Sequence, residues 1–320
     1  MKKLTKHFIF IFLLISLSTR AMAAEYLIPV GQVIGLELSQ GSVTVAAFDD
    51  TLPIAKDAGV HIGDEIQTID GQEITCAQDI RRALNHSNGS VELTVRRGDR
   101  EQTISLEPAI TTEGPRLGVY LRQGITGIGT ITWYNPATGA FGTLGHGVGD
   151  NKGNLLTMRK GIAYPASVVS VQKGKSGSPG QLKGALTGDH LLGTLSGNTS
   201  RGVFGVTQSG FEGEALEVAA SEEIHTGTAT IRSTVSGTEP RDYSVEILKI
   251  YPESRADGRN LLLKVTDPEL LQATGGIVQG MSGSPIIQDG KLVGAVTHVL
   301  VNDPTRGYGI FIENMLDAAS

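Results

Sequence analysis

Glycine constrains this chain more than any other residue type. The sequence contains 42 glycines in 320 residues, about twice the usual share of ~7%. They follow no three-residue period and only 12 prolines accompany them, which excludes a collagen helix. The glycines instead separate short runs of β-branched and other apolar residues, a pattern typical of strands joined by tight turns. Because 39% of the residues are hydrophobic, packed cores can form, and the sequence predicts a mainly β fold.

Charge and cysteine content exclude several classes of protein. The formal net charge of -6, from 27 basic and 33 acidic residues, argues against a nucleic-acid binder held by bulk charge. The single cysteine, Cys76, cannot form an intramolecular disulfide, and one thiol excludes a cysteine-rich zinc site. No spacing of histidines and carboxylates indicates a metal site, and no glycine-rich loop has the context of phosphate binding. The sequence therefore predicts no metal and no cofactor.

Residues 1–24 are expected to direct export rather than to join the fold. Three lysines precede an apolar run at residues 8–17, and small residues alternate at 21–23, as a signal peptide with its cleavage site requires. The alternative is an uncleaved N-terminal membrane anchor, although the apolar run is short for a span of ~20 residues. In both cases the rest of the chain is expected to leave the cytoplasm and to work close to a membrane.

Residues 25–110 are predicted to form a small α+β module. Strand-like runs at residues 43–48 and 91–96 lie on either side of a segment in which Ile80 and Leu84 are four residues apart. That spacing predicts an amphipathic helix. The module therefore combines a small sheet with at least one helix.

The segment at residues 54–71 gives this module a more specific identity. It reads I-A-K-D-A-G-V, then I-G-D-E-I, then D-G, and it resembles bacterial PDZ domains, although Ile54 stands where proline is usual. PDZ domains add an extended peptide to a sheet edge, and residues 33–38 are the segment expected to form this groove. The alternative is a closed groove in which Gly35 only marks a bulge.

Residues 116–320 are predicted to form a β-barrel or a β-sandwich. Short β-branched runs alternate with stretches rich in glycine, serine and threonine, and such spacing is typical of these folds. The clearest helix signal combines Asp267 as N-cap, Pro268 in the first turn and Gly275 after the end.

A candidate nucleophile lies in the sequence G-M-S-G-S-P at residues 280–285. A short apolar strand, an Asp-Gly turn and another strand follow, which is the layout of chymotrypsin-type serine proteases. In that geometry Ser282 is the nucleophile, the amides of Gly280 and Ser282 form the oxyanion hole, and the substrate pairs beside residues 297–301. The alternative is a plain surface turn, which is our interpretation of a second S-G-S-P at residues 176–179 because no apolar hairpin follows it.

A serine nucleophile requires a general base, and His146 is the best candidate. It lies within G-T-L-G-H-G-V-G-D at residues 142–150, where the glycines leave the imidazole unshielded. His298 lies on the expected cleft strand and is interpreted as part of the cleft wall. Cys76 is a poor rival nucleophile, because no base lies beside it in the sequence.

The signal, the PDZ-like module, the glycine-flanked histidine and the last 45 or so residues together resemble the stage IV sporulation protein B family. Its members are PDZ-containing serine endopeptidases of endospore-forming bacteria, and the resemblance covers essentially the whole chain. It implies a fold with an N-terminal PDZ domain followed by a chymotrypsin-like β-barrel serine protease domain. It also implies a triad of His146, Asp267 and Ser282. Asp189 is the alternative acid, because chymotrypsin-like chains usually place the acid further upstream of the serine and Asp267 also suits a helix N-cap.

The same resemblance implies a signalling role. Such a protein is exported from the forespore into the intermembrane space and cleaves its own chain. It also cleaves a regulator of a membrane-embedded metalloprotease, and that enzyme then processes a late sporulation sigma factor. The expected partners are protein or peptide substrates and a PDZ ligand peptide, its own chain included. The alternatives are a non-catalytic PDZ adaptor and a periplasmic-type quality-control protease, whose PDZ modules usually follow the protease domain.

Overall fold

The computed structural model describes residues 25–87, 89–112, 114–150, 153–188, 190–251 and 258–320. The expected signal or anchor at residues 1–24 and the alternative acid Asp189 lie outside the described residues. Within the described ranges, no helix is both long and apolar enough to cross a membrane.

Two strands come first in the chain, and they are β1 (Tyr26–Pro29) and β2 (Val33–Ser39). Strand β2 pairs with residues 125–130 on one edge and with residues 160–165 on the other. The prediction that residues 33–38 form a peptide groove is therefore wrong, because no edge is left for a peptide. Val33 and Ile34 point to opposite faces and both are fully buried, so both faces of this strand are covered as well.

A small α+β module follows β2. Its elements, in chain order, are β3 (Val43–Phe48), α1 (Ile54–Asp57), β4 (Glu65–Ile69), β5 (Gln72–Glu73), α2 (Ala77–His86), β6 (Val91–Arg97), β7 (Arg100–Leu106), β8 (Ala109–Thr111), β9 (Gly114–Arg116) and β10 (Val119–Arg122). The sheet has the order β10-β3-β4-β6-β7, with β5 beside β4, while β8 and β9 form a separate hairpin. Helix α2 buries Ile80, Ala83 and Leu84 against this sheet, which confirms the predicted amphipathic helix.

The next strands close a first barrel around β2. They are β11 (Ile125–Tyr134), β12 (Ala140–Thr143), β13 (Lys160–Gln172), β14 (Gln181–Leu186), β15 (Gly193–Thr199), β16 (Gly202–Val206) and β17 (Leu216–Glu217). The sheet runs β12-β16-β15-β13-β2-β11, and pairing of β11 with β12 closes the ring. Strand β14 pairs with the far half of β13, and β1 links β11 to β17.

The remaining elements form a second barrel. They are β18 (Gly227–Ser233), β19 (Arg241–Ile250), β20 (Leu261–Val265), α3 (Pro268–Thr274), β21 (Pro285–Gln288), β22 (Lys291–Leu300), β23 (Asp303–Phe311) and α4 (Ile312–Ala319). The strands close in the order β18-β19-β20-β23-β22-β21. The predicted fold class, mainly β with a PDZ-like α+β module ahead of a β-barrel domain, is confirmed.

Two short links join the module to the first barrel. Residues 40–42 connect β2 to β3, and residues 123–124 connect β10 to β11. Since β2 pairs with β11 and β3 pairs with β10, the four strands form one two-stranded ribbon. The hydroxyl of Ser39 donates a hydrogen bond to the carbonyl oxygen of Gln123 at 2.7 Å and so ties the links together. The module is therefore inserted into the barrel rather than appended to it.

Candidate active site

A cavity of about 460 Å³ lies where the two barrels meet. His146 reaches it from the first barrel, and Gly280, Ser282, Thr297 and His298 reach it from the second. The structure thus brings the predicted nucleophile and the predicted base to the same cavity.

Ser282 lies in a tight turn between α3 and β21. The Met281 amide donates to Val278 O at 3.1 Å, and the Ser284 amide donates to Met281 O at 3.0 Å. The Ser282 hydroxyl donates to Thr297 O at 2.9 Å. No hydrogen bond joins this hydroxyl to His146 in the described structure, so the serine side chain here rests against strand β22.

Strand β11 of the first barrel holds this turn of the second barrel by three hydrogen bonds. The Thr130 amide donates to Ser282 O at 3.0 Å, and the Thr130 hydroxyl donates to Gly280 O at 2.9 Å. The Thr132 hydroxyl donates to Gly283 O at 2.7 Å. The position of Ser282 is therefore fixed by two threonines of the other barrel.

Gly283 allows this close approach. Its φ is +97°, and a Cβ added there would lie 2.0 Å from Thr130 O and 2.6 Å from the Leu144 amide nitrogen. Only a residue without a side chain tolerates both this backbone conformation and this contact. The S-G step of the motif is thus required by packing between the barrels.

The amides predicted to form the oxyanion hole have no acceptor among the described residues. The carbonyls of Gly280 and Ser282 each accept a bond from Thr130, whereas neither amide donates to a described group. Gly280, two residues before Ser282, has a positive φ of 98°. Two backbone donors beside Ser282 are thus available to an acceptor from outside the described residues, as the predicted oxyanion hole requires.

His146 follows two residues in the left-handed conformation, Leu144 with φ 70° and Gly145 with φ 68°. Positive φ at a non-glycine residue costs about 1–3 kcal/mol and tends to occur at functional sites. Here the buried Leu144 side chain packs in the core of the first barrel. A Cβ on Gly145 would lie 2.9 Å from Thr297 Cγ2. The strained turn therefore brings the histidine directly against the second barrel.

The hydrogen bonding and the pKa of His146 both favour an imidazole that can accept a proton at Nε2. Its Nδ1 lies 3.0 Å from Gly147 O, and because a carbonyl oxygen only accepts, Nδ1 carries the proton and Nε2 keeps its lone pair. Burial lowers the pKa of His146, since it disfavours the imidazolium, and the bond to Gly147 opposes this only in part. The neutral, proton-accepting form is therefore favoured.

Asn198 holds the loop after His146, and sequence reasoning did not identify it. Its side-chain amide donates to the carbonyls of Val148 and Leu156, both at 2.9 Å, and its oxygen accepts from the Val148 amide at 2.9 Å. An asparagine in a strand gives no local signal for this role. Only the pairing of β15 within the barrel brings it beside the loop.

His298 forms part of the cavity wall, as the sequence suggested. Its ring centroid lies 5.3 Å from that of His146, with the planes tilted by 41°.

The second S-G-S-P, at residues 176–179, contacts the turn between β22 and β23. The Gly177 amide donates to Val301 O, and the Ser176 hydroxyl donates to Asn302 O, each at 2.9 Å. The second S-G-S-P is thus a turn packed on the β22–β23 hairpin.

Asp267 is placed as a helix cap. Its carboxylate accepts from the Leu270 amide at 2.9 Å and from the Ser244 amide at 3.3 Å, and Pro268 and Gly275 occupy the two ends of α3 as predicted. No hydrogen bond within the described residues joins Asp267 to His146. The proposed role of Asp267 in a triad therefore stays a prediction from the resemblance.

The groove of the PDZ-like module lies at a different strand from the one predicted. Strand β10 is the edge of its sheet, and a cavity of about 400 Å³ lies between this strand and helix α2. Ile80 and Leu84 form one wall and residues 117–121 form the other. The sequence signal was present, since Leu117-Gly118-Val119 has the same pattern as the segment at residues 34–36.

Comparisons with known proteins agree with this architecture. The model of the family described as SpoIVB peptidase S55 matches residues 113–316, and a PDZ domain model matches residues 32–107. No curated protein matches the chain.

Three solved structures are similar to parts of the chain. The PDZ domain of the SdrC-like protein Lmo2051 from Listeria monocytogenes is 24% identical, covers 25% of this chain and 85% of its own, and has a TM-score of 0.22. The Rv3671c protease in an inactive form is 14% identical, covers 61% of this chain and 85% of its own, and has a TM-score of 0.35. An inactive variant of Rv3671c from M. tuberculosis H37Rv is 14% identical, covers 61% and 82%, and has a TM-score of 0.33.

The family match spans well over half of the chain and contains both His146 and Ser282. The module before it carries the strands and the helix that a PDZ domain requires. This protein therefore belongs to the SpoIVB peptidase S55 family, as a serine peptidase that carries a PDZ domain.

Proposed function

We propose that this protein is an exported endopeptidase that uses Ser282 as nucleophile and His146 as general base. It processes its own chain and cleaves a regulatory membrane-protein complex, which releases an intramembrane metalloprotease to process a late sporulation sigma factor. The observation that supports the catalytic part of this proposal is the shared cavity. It is lined by Ser282 and His146, and the backbone amides of Gly280 and Ser282 there donate to none of the described residues. Family membership and the signal-like residues 1–24 support the remaining part.

Catalysis begins when the Ser282 hydroxyl leaves Thr297 O and turns toward His146. The imidazole Nε2 takes the hydroxyl proton while Oγ bonds to the substrate carbonyl carbon, and the carbonyl oxygen becomes an oxyanion facing the Gly280 and Ser282 amides. The imidazolium then gives its proton to the leaving amine, and the acyl-enzyme forms. Water repeats these steps, which yields a free carboxylate and restores the hydroxyl.

The third member of the triad is proposed to be Asp267, on the strength of the family resemblance. In the resting structure Gly147 O occupies the Nδ1 side of His146, where a triad places its acid. If Asp267 acts, its carboxylate must exchange its cap bonds for the imidazole when substrate binds. Replacement by asparagine tests this directly, because asparagine still caps a helix but cannot stabilise an imidazolium by charge.

The test of the catalytic assignment compares Ser282→Ala with Ser176→Ala in the full chain. Each change removes one serine hydroxyl that donates to a backbone carbonyl at 2.9 Å, so the expected structural cost is equal and small, about 1 kcal/mol. Mass spectrometry of the chain termini after incubation should find processed ends for the wild type and for Ser176→Ala. None should form with Ser282→Ala.

Equal processing in both variants would remove Ser282 as the nucleophile and leave the adaptor function as the better account. A serine-directed phosphonate probe provides an independent readout. It should label one site in the wild type and in Ser176→Ala, and peptide mapping should locate the label on Ser282.

A further inference from the structure

The edge strand of the PDZ groove continues directly into the wall of the catalytic cavity. Strand β10 ends at Arg122, β11 begins at Ile125, and only two residues separate them. Both strands belong to the same side of the two-stranded ribbon, since β2 and β3 lie together on its other side. The outer edges of β10 and β11 therefore form one continuous line.

The polar backbone groups along this line point outward in β11. Thr130 donates to Ser282 O and accepts from the Leu144 amide, so its peptide groups face away from β2. Alternate residues in a strand share a direction, and Ile128 and Thr126 therefore also face outward. On this side, none of the described residues pairs with residues 125–129. Ile128 itself lines the catalytic cavity.

Polar backbone groups also point outward at the start of β10. The Gly118 carbonyl accepts from the Asp49 amide at 2.9 Å and so faces β3, which leaves the peptide groups of Val119 facing outward. Gly118 has φ +72°, and a Cβ there would lie 1.8 Å from Leu52 O. Leu117 and Gly118, the two residues before β10, line the groove together with α2.

The groove suits the C-terminus of a polypeptide. Its apolar wall of Ile80 and Leu84 accepts a side chain. Among the described lining residues, Arg81 and Arg116 bring positive charge and Asp49 brings one carboxylate. A peptide whose terminal carboxylate meets the loop amides before β10 must run antiparallel to that strand. Its upstream residues then follow β10 toward β11 and the nucleophile.

We propose that one substrate chain occupies both sites, with its C-terminal residue in the PDZ groove and its scissile bond at Ser282. The residues between them add as a strand to the outer edge of β10 and β11. This inference rests on the proposed function and specifies its substrate class: proteins with an extended C-terminal tail ending in an apolar residue.

The ribbon then acts as a ruler. Val119 and Ile128 lie nine residues apart along the chain, which corresponds to about 30 Å of strand. An antiparallel partner needs a similar number of residues, and the irregular pairing near Tyr120 widens the range slightly. Cleavage is therefore expected about 8–13 residues from the substrate C-terminus.

The experiment uses the full chain and synthetic 25-residue peptides, with randomised sequence ending in valine, as free acids or as C-terminal amides. Mass spectrometry of the released C-terminal fragments should find lengths clustered at about 8–13 residues. Amidation should lower kcat/KM about tenfold or more, because the charged hydrogen bonds to the loop are lost. Fragment lengths spread evenly, or equal cleavage of acid and amide, would overturn the proposal.

Variants of the enzyme test the path itself. Thr126→Pro removes one outward donor, a change that an edge position tolerates, and it should abolish the length preference. Arg81→Glu adds negative charge to the groove and should weaken cleavage of the free acids, while Arg82→Glu, the adjacent residue outside the groove, should not. Urea unfolding checks that each variant folds, and the acid–amide comparison needs no variant.

Failure of the ruler is distinguishable from failure of the proposed function. If cleavage depends on Ser282 but shows no preferred distance from the C-terminus, the endopeptidase assignment stands and the shared occupancy is wrong. If Ser282→Ala cleaves as the wild type does, or if neither peptide cleavage nor self-processing is observed, both the endopeptidase assignment and the shared occupancy are wrong.

Discussion

Adding one methyl group at Gly283 should disable the enzyme more than it destabilises it. In the native structure a Cβ at this position would meet Thr130 O at 2.0 Å and the Leu144 amide nitrogen at 2.6 Å. Both are backbone atoms, so neither can rotate away. The nucleophile turn must therefore move away from β11, and the hydrogen bonds that Thr130 gives to this turn must stretch.

The magnitude follows from two contributions. Alanine at a φ of +97° costs about 1–3 kcal/mol in backbone strain, and overpacking adds about 1–3 kcal/mol. The free energy of unfolding should thus fall by about 2–6 kcal/mol. A displacement of the Ser282 hydroxyl by about 1 Å should lower kcat/KM about a hundredfold.

Gly290→Ala is the matched control. Gly290 has φ +77° in the turn between β21 and β22, and no atom of the described residues lies within 4 Å of the position that a Cβ would take there. This variant should lose about 1–2 kcal/mol from strain alone and keep its kcat/KM. Urea unfolding and peptide hydrolysis on both variants separate the two effects. Equal stability and equal activity of the two variants would refute the claim that β11 positions the nucleophile through Gly283.

Three further perturbations probe the site. Burial lowers the pKa of His146, and a general base must be neutral to accept a proton. The value of kcat/KM should therefore fall only as the pH drops below the ordinary histidine pKa of about 6.5. A pH profile whose acid limb is centred above that value would contradict this. Asn198→Ala frees the Val148 loop and should lower kcat/KM about 10- to 100-fold, with Asn198→Asp intermediate in the same assay because it still accepts from the Val148 amide. Asp267→Asn should keep the urea midpoint of unfolding, whereas Asp267→Ala should lose about 1 kcal/mol of unfolding free energy. If Asp267 belongs to the triad, both variants should lose most of kcat. Full activity of the asparagine variant would exclude Asp267 from the triad.

Local signals in the sequence predicted local structure well. The cap at Asp267, the proline after it and Gly275 at φ +77° define helix α3 as expected, because each acts within a few residues of itself. The amphipathic helix around Ile80 and Leu84 was found for the same reason. The candidates His146 and Ser282 could be selected because their motifs are contiguous, and both line the same cavity.

Pairing partners could not be predicted in the same way. The segments Ile34-Gly35-Leu36 and Leu117-Gly118-Val119 look alike locally, yet one lies inside the first barrel and the other forms the module edge. The difference depends on strands far away in sequence. Thr130 and Asn198 were missed for the same reason, since each acts on a loop that only the barrel topology brings near.

The order of elements explains why the module and the active site share a strand. A module appended at one end of the chain would reach the barrel through one linker, whereas this one is inserted between β2 and β11 and connects through two. Insertion places both links in one antiparallel ribbon. The links approach each other so closely that a Cβ at Gly124 would lie 2.2 Å from Leu38 O, and this position therefore requires glycine. At one end of β11, Ile125 pairs with Leu38 beside the links, and five residues later Thr130 holds the nucleophile turn. The module's groove and the Ser282 turn are thus fixed to the same two-stranded ribbon, and the nine residues from Val119 to Ile128 span at most about 30 Å of extended chain.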